Sequence, residues 1–221
     1  GFDDFRAEME MILKNRHGDE SRRHIRVMGL EVDGDGDMGM SIFEEPADVK
    51  GTAMLTHSHK VETDDQWLYL PAIKRVKRIA ERNKFGPYMG SEFAYEDLGS
   101  QELEKYTYSY MGDEVYEGMD CFVVVRDPVD KYSGYTRQVS WIDKAEYRPL
   151  KTDFYDRKNA LLKTLTFIGY KKYLEHHWRP DEMFMKNHQT GKTTLIVWKN
   201  YRFRTGLKDS DFQVNDLKRA R

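Results

Sequence analysis

The chain has 221 residues and a nearly balanced charge, with 36 Lys and Arg against 38 Asp and Glu and a formal net charge of −2. Its single cysteine, Cys121, excludes an internal disulfide framework and a four-cysteine zinc site, and no apolar run is long enough to cross a bilayer. We therefore expect a folded protein with a heavily solvated surface that is not itself membrane-spanning.

Short segments of alternating apolar and polar residues, separated by polar turns, predict an antiparallel arrangement of β-strands. In the first segment Met9 and Met11 alternate with Glu8 and Glu10, and the later Asp-Gly pairs at 33–36 favour the positive φ angles of a tight hairpin. The strand pattern covers residues 5–13, 22–32, 38–44, 53–61, 66–70, 74–80, 106–115, 119–126, 135–142, 147–155, 161–170, 173–187 and 192–203.

From this pattern we expect roughly ten to twelve strands, which is more than a flat open sheet usually holds without curling or closing. The prediction is a mainly β fold with a strongly curved sheet or barrel. Helical signals are short: Ser91 can cap a turn over 92–98 that stops at Gly99, and 211–219 can form a terminal helix. Helices this brief cannot form the core, but they can cover an opening. The chain has no repeat or linker, so 1–221 is predicted to be one domain.

The predicted strands are rich in residues that suit a flexible hydrophobic ligand. The chain has 11 Met, 14 Tyr, 11 Phe and 4 Trp, and methionine adapts to irregular apolar shapes. Ordinary core packing is the alternative interpretation, because any β protein must fill its interior.

A basic run lies between Lys74 and Lys84, where six of eleven residues are Lys or Arg. Such a run, with Trp67 and Tyr69 as stacking platforms, can bind single-stranded nucleic acid. The balanced charge of the whole chain argues against that partner. Anionic lipid headgroups are an equally good partner for the run, and we predict no nucleic acid partner.

Metal and catalytic motifs are incomplete. Acidic residues at 33, 35, 37 and 44 match part of a calcium loop, but Met38 occupies the position of the required glycine. His57 and His59 are spaced to share one strand face without a third ligand nearby. Residues 191–193 match the end of a phosphate-binding loop, but Lys186 occupies the position of the first glycine of that motif. We predict no metal, no cofactor and no catalysis. The alternative hypothesis, from a different class of function, is that the protein is an enzyme.

Four separated blocks resemble the LolA-like family of outer-membrane lipoprotein-sorting proteins, in the right order along the chain. They are PADVKGTAML at 46–55, DDQWLYLPAIKRVKRI at 64–79, GSEFAYEDL at 90–98 and FYDRKNALLKTL at 154–165. The resemblance implies an unclosed antiparallel β-barrel, with an apolar concave face and short helices over its open side. It also implies a periplasmic carrier of lipid-modified cargo, in a branch often associated with RND-type inner-membrane exporters.

The resemblance extends to individual residues. Trp67, Tyr69, Leu70 and Pro71 match the family's W-x-Y-L-P block, Arg75 and Arg78 match its basic strand, and Ser91, Phe93, Tyr95, Glu96 and Asp97 match its G-S-x-F-x-Y-E-D block. We expect Arg75 and Arg78 to pair with Glu96 or Asp97 and thereby tie the lid to the barrel. The predicted hydrophobic cavity is lined by Met9, Met11, Met28, Leu30, Met40, Trp67, Tyr69, Phe93, Tyr108, Trp141, Phe154 and Trp198.

The chain departs from the family pattern at its start, where a strand pattern replaces the opening helix and no lipobox cysteine is present. A mature periplasmic carrier with its signal peptide removed fits better than a lipid-anchored acceptor. Its expected partners are lipid or lipoprotein acyl chains, an RND-type exporter and an outer-membrane acceptor. The alternative hypothesis is a non-carrier accessory protein that docks on the exporter.

Overall fold

The computed structural model describes residues 1–219, in which thirteen antiparallel strands form one sheet. The strands are β1 (Asp4–Lys14), β2 (Glu20–Leu30), β3 (Met38–Glu45), β4 (Ala53–His57), β5 (Asp65–Leu70), β6 (Arg75–Arg78), β7 (Tyr106–Tyr116), β8 (Met119–Pro128), β9 (Tyr135–Asp143), β10 (Pro149–Asp156), β11 (Leu161–Tyr173), β12 (His177–Asn187) and β13 (Thr193–Phe203). The mainly β prediction is confirmed: each of the thirteen strands overlaps one of the thirteen segments of the sequence pattern, and their number exceeds the expected total of roughly ten to twelve.

The strand order is β6-β5-β4-β3-β2-β1-β13-β12-β11-β10-β9-β8-β7. Two meanders therefore meet at the centre, where the first and last strands pair and Met9 lies opposite Trp198. The edge strands β6 and β7 do not pair with each other within residues 1–219, so the sheet is an unclosed half-barrel. The chain between these two edges, residues 79–105, crosses the concave face; we call it the crossover segment.

Side chains along a strand alternate between the two faces of the sheet. Those on the concave, inner face form the larger hydrophobic cluster. Residues of the crossover segment, including Tyr88 and Phe93, pack into this cluster from above. Its buried members are Met9, Met11, Ile25, Phe43, Met54, Leu68, Tyr88, Phe93, Tyr135, Phe154, Leu165, Met185 and Ile196.

The convex, outer face of β3–β5 carries a second cluster, which the C-terminal segment covers. Leu207, Phe212 and Leu217 from this segment pack on Met40, Ile42, Ala53 and Leu55. The backbone N–H groups of Thr205 and Gly206 donate to the Asp4 carboxylate at 2.7 and 3.0 Å, which fixes the start of the segment. This half of the sheet is therefore apolar on both faces.

The helical elements are short 3₁₀ helices. Those of the described chain are Pro71–Ile73, Glu81–Asn83, Tyr88–Gly90, Tyr95–Leu98, Leu103–Lys105, Asp209–Asp211 and Val214–Lys218. The helix expected at 92–98 is shortened to Tyr95–Leu98, where the Asp97 carboxylate accepts the Ala94 N–H at 2.7 Å and closes a single turn. The helix expected at 211–219 is likewise reduced to Val214–Lys218.

Candidate ligand-binding cavity

The crossover segment is a folded cover held against the inner face by its aromatic side chains. Tyr88 and Phe93 are 1% and 3% exposed, and the Tyr88 N–H donates to the Phe93 carbonyl at 2.7 Å, which closes a compact loop. The Tyr88 hydroxyl hydrogen-bonds Ser41 Oγ at 2.8 Å. Burial raises the pKa of Tyr88 well above its usual value, so this hydroxyl stays protonated.

A buried lysine ties the segment to the far half of the sheet. Lys163 on β11 donates from Nζ to the Glu92 carbonyl and to Asp97 Oδ2, both at 2.8 Å. The Tyr135 hydroxyl donates to the same carboxylate at 2.8 Å, and Asn187 Nδ2 donates to Glu92 Oε2 at 2.7 Å. The charge of Asp97 is therefore compensated inside the fold.

Glu96 anchors the same segment to the start of β9. Its carboxylate accepts hydrogen bonds from Ser133 Oγ at 2.7 Å and from the Gly134 N–H at 2.8 Å. Burial, followed by the neighbouring charge of Asp97, raises the pKa of Glu96 to about 7. The Glu96 carboxyl is therefore protonated in mildly acidic solution.

The expected pairing of Arg75 and Arg78 with Glu96 or Asp97 is wrong. Both arginines lie exposed on the edge strand β6, and Arg78 pairs with Asp65 on the adjacent strand. The acids of the crossover segment point to the interior instead, where Lys163 and Ser133 satisfy them. Tyr95, from the same part of the crossover segment, is hydrogen-bonded to β5, because Gln66 Nε2 donates to its carbonyl at 2.8 Å.

Two cavities lie between the crossover segment and the inner face, and Phe93, Asp97 and Met183 border both. The first has a volume of about 200 Å³; its side chains are mainly apolar and include Met9, Met11, Val27, Met54, Tyr88, Leu98, Ile196 and Trp198. The second has a volume of about 350 Å³, with Phe154, Leu165, Phe167 and Met185 on one wall and Tyr106, Arg126 and Gln138 on another. A flexible apolar ligand fits such methionine-rich walls.

A larger cleft of about 510 Å³ lies outside, between the crossover segment and the β7–β8 edge. Its walls carry Asp64, Lys84 and Lys105, which already bond one another: Lys105 pairs with the Asp64 carboxylate and Lys84 donates to the Asp64 carbonyl. Burial lowers the pKa of Lys84. We interpret these contacts as a clamp on both ends of the crossover segment, so the inner cavities are the better candidate site.

Five of the predicted cavity residues line the inner cavities: Met9, Met11, Phe93, Phe154 and Trp198. Five others pack with the outer cluster, which corrects the prediction: Met28, Leu30, Met40, Trp67 and Tyr69. Their strands place the alternate residues inward, such as Val27, Ser41 and Leu68. Met40 borders the first cavity, but its buried side chain belongs to the outer cluster.

Two further predicted cavity residues also lie elsewhere. Trp141 is on the outer face of β9, where its Nε1 donates to Glu114 at 2.8 Å and Lys151 Nζ lies 3.7 Å from its ring centre. Tyr108 lies on the edge strand β7 and is 46% exposed. Neither borders the cavities beneath the crossover segment.

Several inner residues are absent from the predicted set, notably Met54, Met183, Met185 and Lys163. Lys163 carried a usable signal, because it has the same strand parity as Leu165 and Phe167 within an apolar alternation. A lysine on a buried face requires a partner, and Asp97 supplies it.

The candidate metal residues separate in the structure. His57 ends β4 and its Nε2 bonds the Phe212 carbonyl at 2.8 Å, whereas His59 lies beyond the strand and its Nδ1 bonds Asp35 at 2.8 Å. Within residues 1–219 no three His, Cys, Asp or Glu side chains are grouped to hold a metal ion. No helix of this described range is long and apolar enough to cross a membrane.

Comparison with known proteins identifies close relatives. A family model described as an uncharacterized protein matches residues 35–219. A domain from Vibrio parahaemolyticus, described as an outer membrane lipoprotein-sorting protein, is 60% identical over 99% of this chain and 92% of its own, with a TM-score of 0.97. A DUF1329 family protein from Desulfovibrio piger is 32% identical over 97% of this chain and 91% of its own, with a TM-score of 0.93.

The same fold occurs in a more distant protein. A LolA superfamily protein from Nitrosomonas europaea has a TM-score of 0.77 at 20% identity, covering 96% of this chain and 91% of its own. At this identity the likeness concerns the fold alone. No curated protein matches the sequence.

Proposed function

Since the chain belongs to the DUF1329 family of LolA-like outer-membrane lipoprotein-sorting proteins, we propose that it is a periplasmic carrier that encloses acyl chains of lipid-modified cargo. The observation that carries the proposal is the pair of adjoining cavities beneath the crossover segment, lined by methionines and aromatic rings. The carrier delivers its cargo toward the outer membrane, and no catalytic step is part of the proposal.

Burial of acyl chains supplies the binding energy. Each methylene group removed from water contributes about 0.8 kcal/mol, so even part of one long chain in these cavities holds cargo in an aqueous compartment. Release requires that the cover can move. The crossover segment contains only single 3₁₀ turns, so movement of the cover breaks side-chain contacts such as Lys163–Asp97 without unfolding a longer helix or strand.

The test is native mass spectrometry on protein purified without detergent, before and after incubation with membrane lipid, with organic extraction to identify what is bound. We expect acylated ligand on the wild-type protein. Met183→Glu places a carboxylate between the two cavities and should abolish the bound species. The matched control is Met28→Glu, a half-buried methionine on the outer face, which should retain the ligand if the variant remains folded.

A protein that stays empty after incubation with total membrane lipid would contradict the carrier proposal, as would equal loss of ligand in both variants. Thermal unfolding of each variant, measured in parallel, separates loss of binding from loss of folding. Cell fractionation of the native host tests the proposed periplasmic location.

A second candidate function, an accessory protein that docks on an RND-type exporter, is favoured by the edge strand β7. One side of this eleven-residue strand has no neighbour within residues 1–219, and Tyr110, Met111 and Val115 on it are 62%, 66% and 68% exposed. An unpaired strand edge with apolar side chains can accept a strand from a partner. Capture of an exporter's periplasmic domain by an empty protein, lost in Val115→Lys, would support docking over carriage.

A further inference from the structure

The second inner cavity is chemically divided. Phe154, Leu165 and Met185 make one wall apolar, whereas Arg126 and Gln138 contribute strongly polar groups to another. These two residues lie directly opposite each other in the β8–β9 register. A purely hydrophobic ligand uses only the first wall and leaves the second without a role.

Both polar residues carry an atom that has no hydrogen-bond partner. The Gln138 side chain is 3% exposed and hydrogen-bonds the Tyr106 hydroxyl, but its Oε1 is buried without a donor, and Arg126 Nε is buried without an acceptor. Buried polar groups in folded proteins are nearly always paired. Because these two unpartnered atoms belong to residues that border one cavity from neighbouring strands, a ligand in that cavity can supply the missing donor and acceptor.

The nearby carboxylates do not fill this role. Asp97 is bonded by Lys163 and Tyr135, and Glu96 is bonded by Ser133 and Gly134. Arg126 forms no ion pair with any residue of the described chain, and its guanidinium carbon lies 5.0 Å from the centre of the Tyr106 ring. The guanidinium is thus positioned by an aromatic face and its hydrogen-bonding capacity toward a carboxylate is unused.

We propose that Arg126 and Gln138 form a subsite for the polar group of an acylated ligand, specifically a secondary amide at the head of the acyl chain. The amide carbonyl accepts from Arg126 Nε and the amide N–H donates to Gln138 Oε1, while the alkyl chain lies along Phe154, Leu165 and Met185. This inference rests on the proposed carrier function and specifies which acyl compounds the cavity prefers. An ester has the same carbonyl but no N–H, so it satisfies only one of the two atoms.

Arg137 offers a matched control on the same strand as Gln138. Its Nε is also buried without a partner, and its guanidinium carbon lies 4.2 Å from the centre of the Tyr155 ring. Arg137 adjoins Gln138 in sequence and so points to the opposite face of β9, and it does not border either inner cavity.

The experiment compares N-methylhexadecanamide with methyl hexadecanoate and hexadecanoate, each displacing a fluorescent acyl probe from the full chain. We expect the amide to bind at least tenfold more tightly than the ester, since a lost hydrogen bond leaves Gln138 Oε1 unpaired. Gln138→Leu should remove the preference while leaving ester affinity unchanged. Arg126→Met should weaken both amide and ester at least tenfold, and Arg137→Met should change neither.

Equal binding of amide and ester to the wild-type protein would overturn the subsite. So would a preference for the amide that survives in Gln138→Leu, or tighter binding of hexadecanoate than of the amide. Failure of the fluorescent probe and all three compounds to bind would contradict the carrier function itself. If Arg126→Met does not fold, Arg126→Lys keeps the charge but lacks Nε, and it should show the same tenfold loss.

Discussion

Lys163 and Asp97 form a buried ion pair across the inner face of the sheet, with 2.8 Å between Nζ and Oδ2 and side chains that are 4% and 10% exposed. The lysine belongs to β11 and the aspartate to the crossover segment, so the pair joins the cover to the floor of the cavities. The Tyr135 hydroxyl and the Glu92 carbonyl complete the shell of this pair. Position and burial make it the principal polar attachment of the cover.

Lys163→Met should destabilise the fold by about 3 kcal/mol, because it leaves the Asp97 carboxylate buried without its counter-charge. Chemical denaturation at neutral pH measures this free energy. The double variant Lys163→Met with Asp97→Asn should recover part of the loss, because it removes the unpaired charge.

A second pair on the same strand provides the control. Lys171 and Asp181 are also 2.8 Å apart, but their side chains are 63% and 34% exposed. Lys171→Met should therefore change the free energy of unfolding by at most about 1 kcal/mol. Equal effects of the two lysine substitutions would show that the Lys163 pair does not hold the cover.

Glu96 should make the protein less stable as the pH rises through the neutral range. Its pKa is about 7 in the fold against an ordinary value of 4.5, because the carboxyl is buried and next to Asp97. Between these values the unfolded chain is ionised while the folded protein keeps the proton, so unfolding releases a proton and higher pH favours it. The contribution of Glu96 to the free energy of unfolding should fall from about pH 4.5 to about pH 7 and then level off.

Glu96→Gln should remove most of this decline, as measured by urea denaturation at a series of pH values; burial also raises the pKa of Asp37 above 3.8, which leaves a decline of the same sign in the acid range. Glu62→Gln, a substitution at an exposed carboxyl, should leave it in place. A decline of the same sign persists above pH 6.5 in every variant, because the hydrogen bond to Asp35 raises the pKa of His59. An unchanged slope below pH 6.5 in Glu96→Gln would show that its proton is not held at the contact with Ser133.

The sequence predicted the strands well but not their faces. Met9 and Met11 lie on the inner face as expected, because β1 alternates between apolar and charged residues and only one face can be inner. Trp67 and Tyr69 were placed on the wrong face, because Leu68 and Leu70, which alternate with them along β5, are equally apolar. The C-terminal segment buries the outer face there, so the alternation carries no information on which face is inner.

The polar attachment of the cover could not be assigned from sequence for a different reason. Arg78 and Lys163 are both basic residues in strands, and either can pair with Asp97 on the basis of charge. Only the sheet order decides, since it places β6 at an open edge and Lys163 beneath the crossover segment. The resemblance named the acidic block but not its partner, which is Lys163.

Trp198 should report on ligand entry, because it borders the first cavity and its Nε1 lies 3.4 Å from Met183 Sδ. A nitroxide-labelled fatty acid should quench its fluorescence on binding. Trp198→Phe should remove most of the quenching, whereas Trp67→Phe should keep it, since Trp67 packs on the outer face. Loss of quenching in Trp67→Phe alone would place the ligand on the convex side.

Phe212→Ala should destabilise the protein without emptying the cavity. Phe212 is fully buried between the C-terminal segment and the outer face, and its carbonyl accepts a hydrogen bond at 2.8 Å if His57 Nε2 carries the proton. Truncation of a buried phenylalanine costs about 3 to 5 kcal/mol, which denaturation measures directly. The inner cavities share no wall with this side chain, so acyl probe affinity at a temperature where the variant is folded should be unchanged. A parallel loss of affinity would mean that the two faces of the sheet are coupled, and that the C-terminal segment sets the curvature on which the cavity depends.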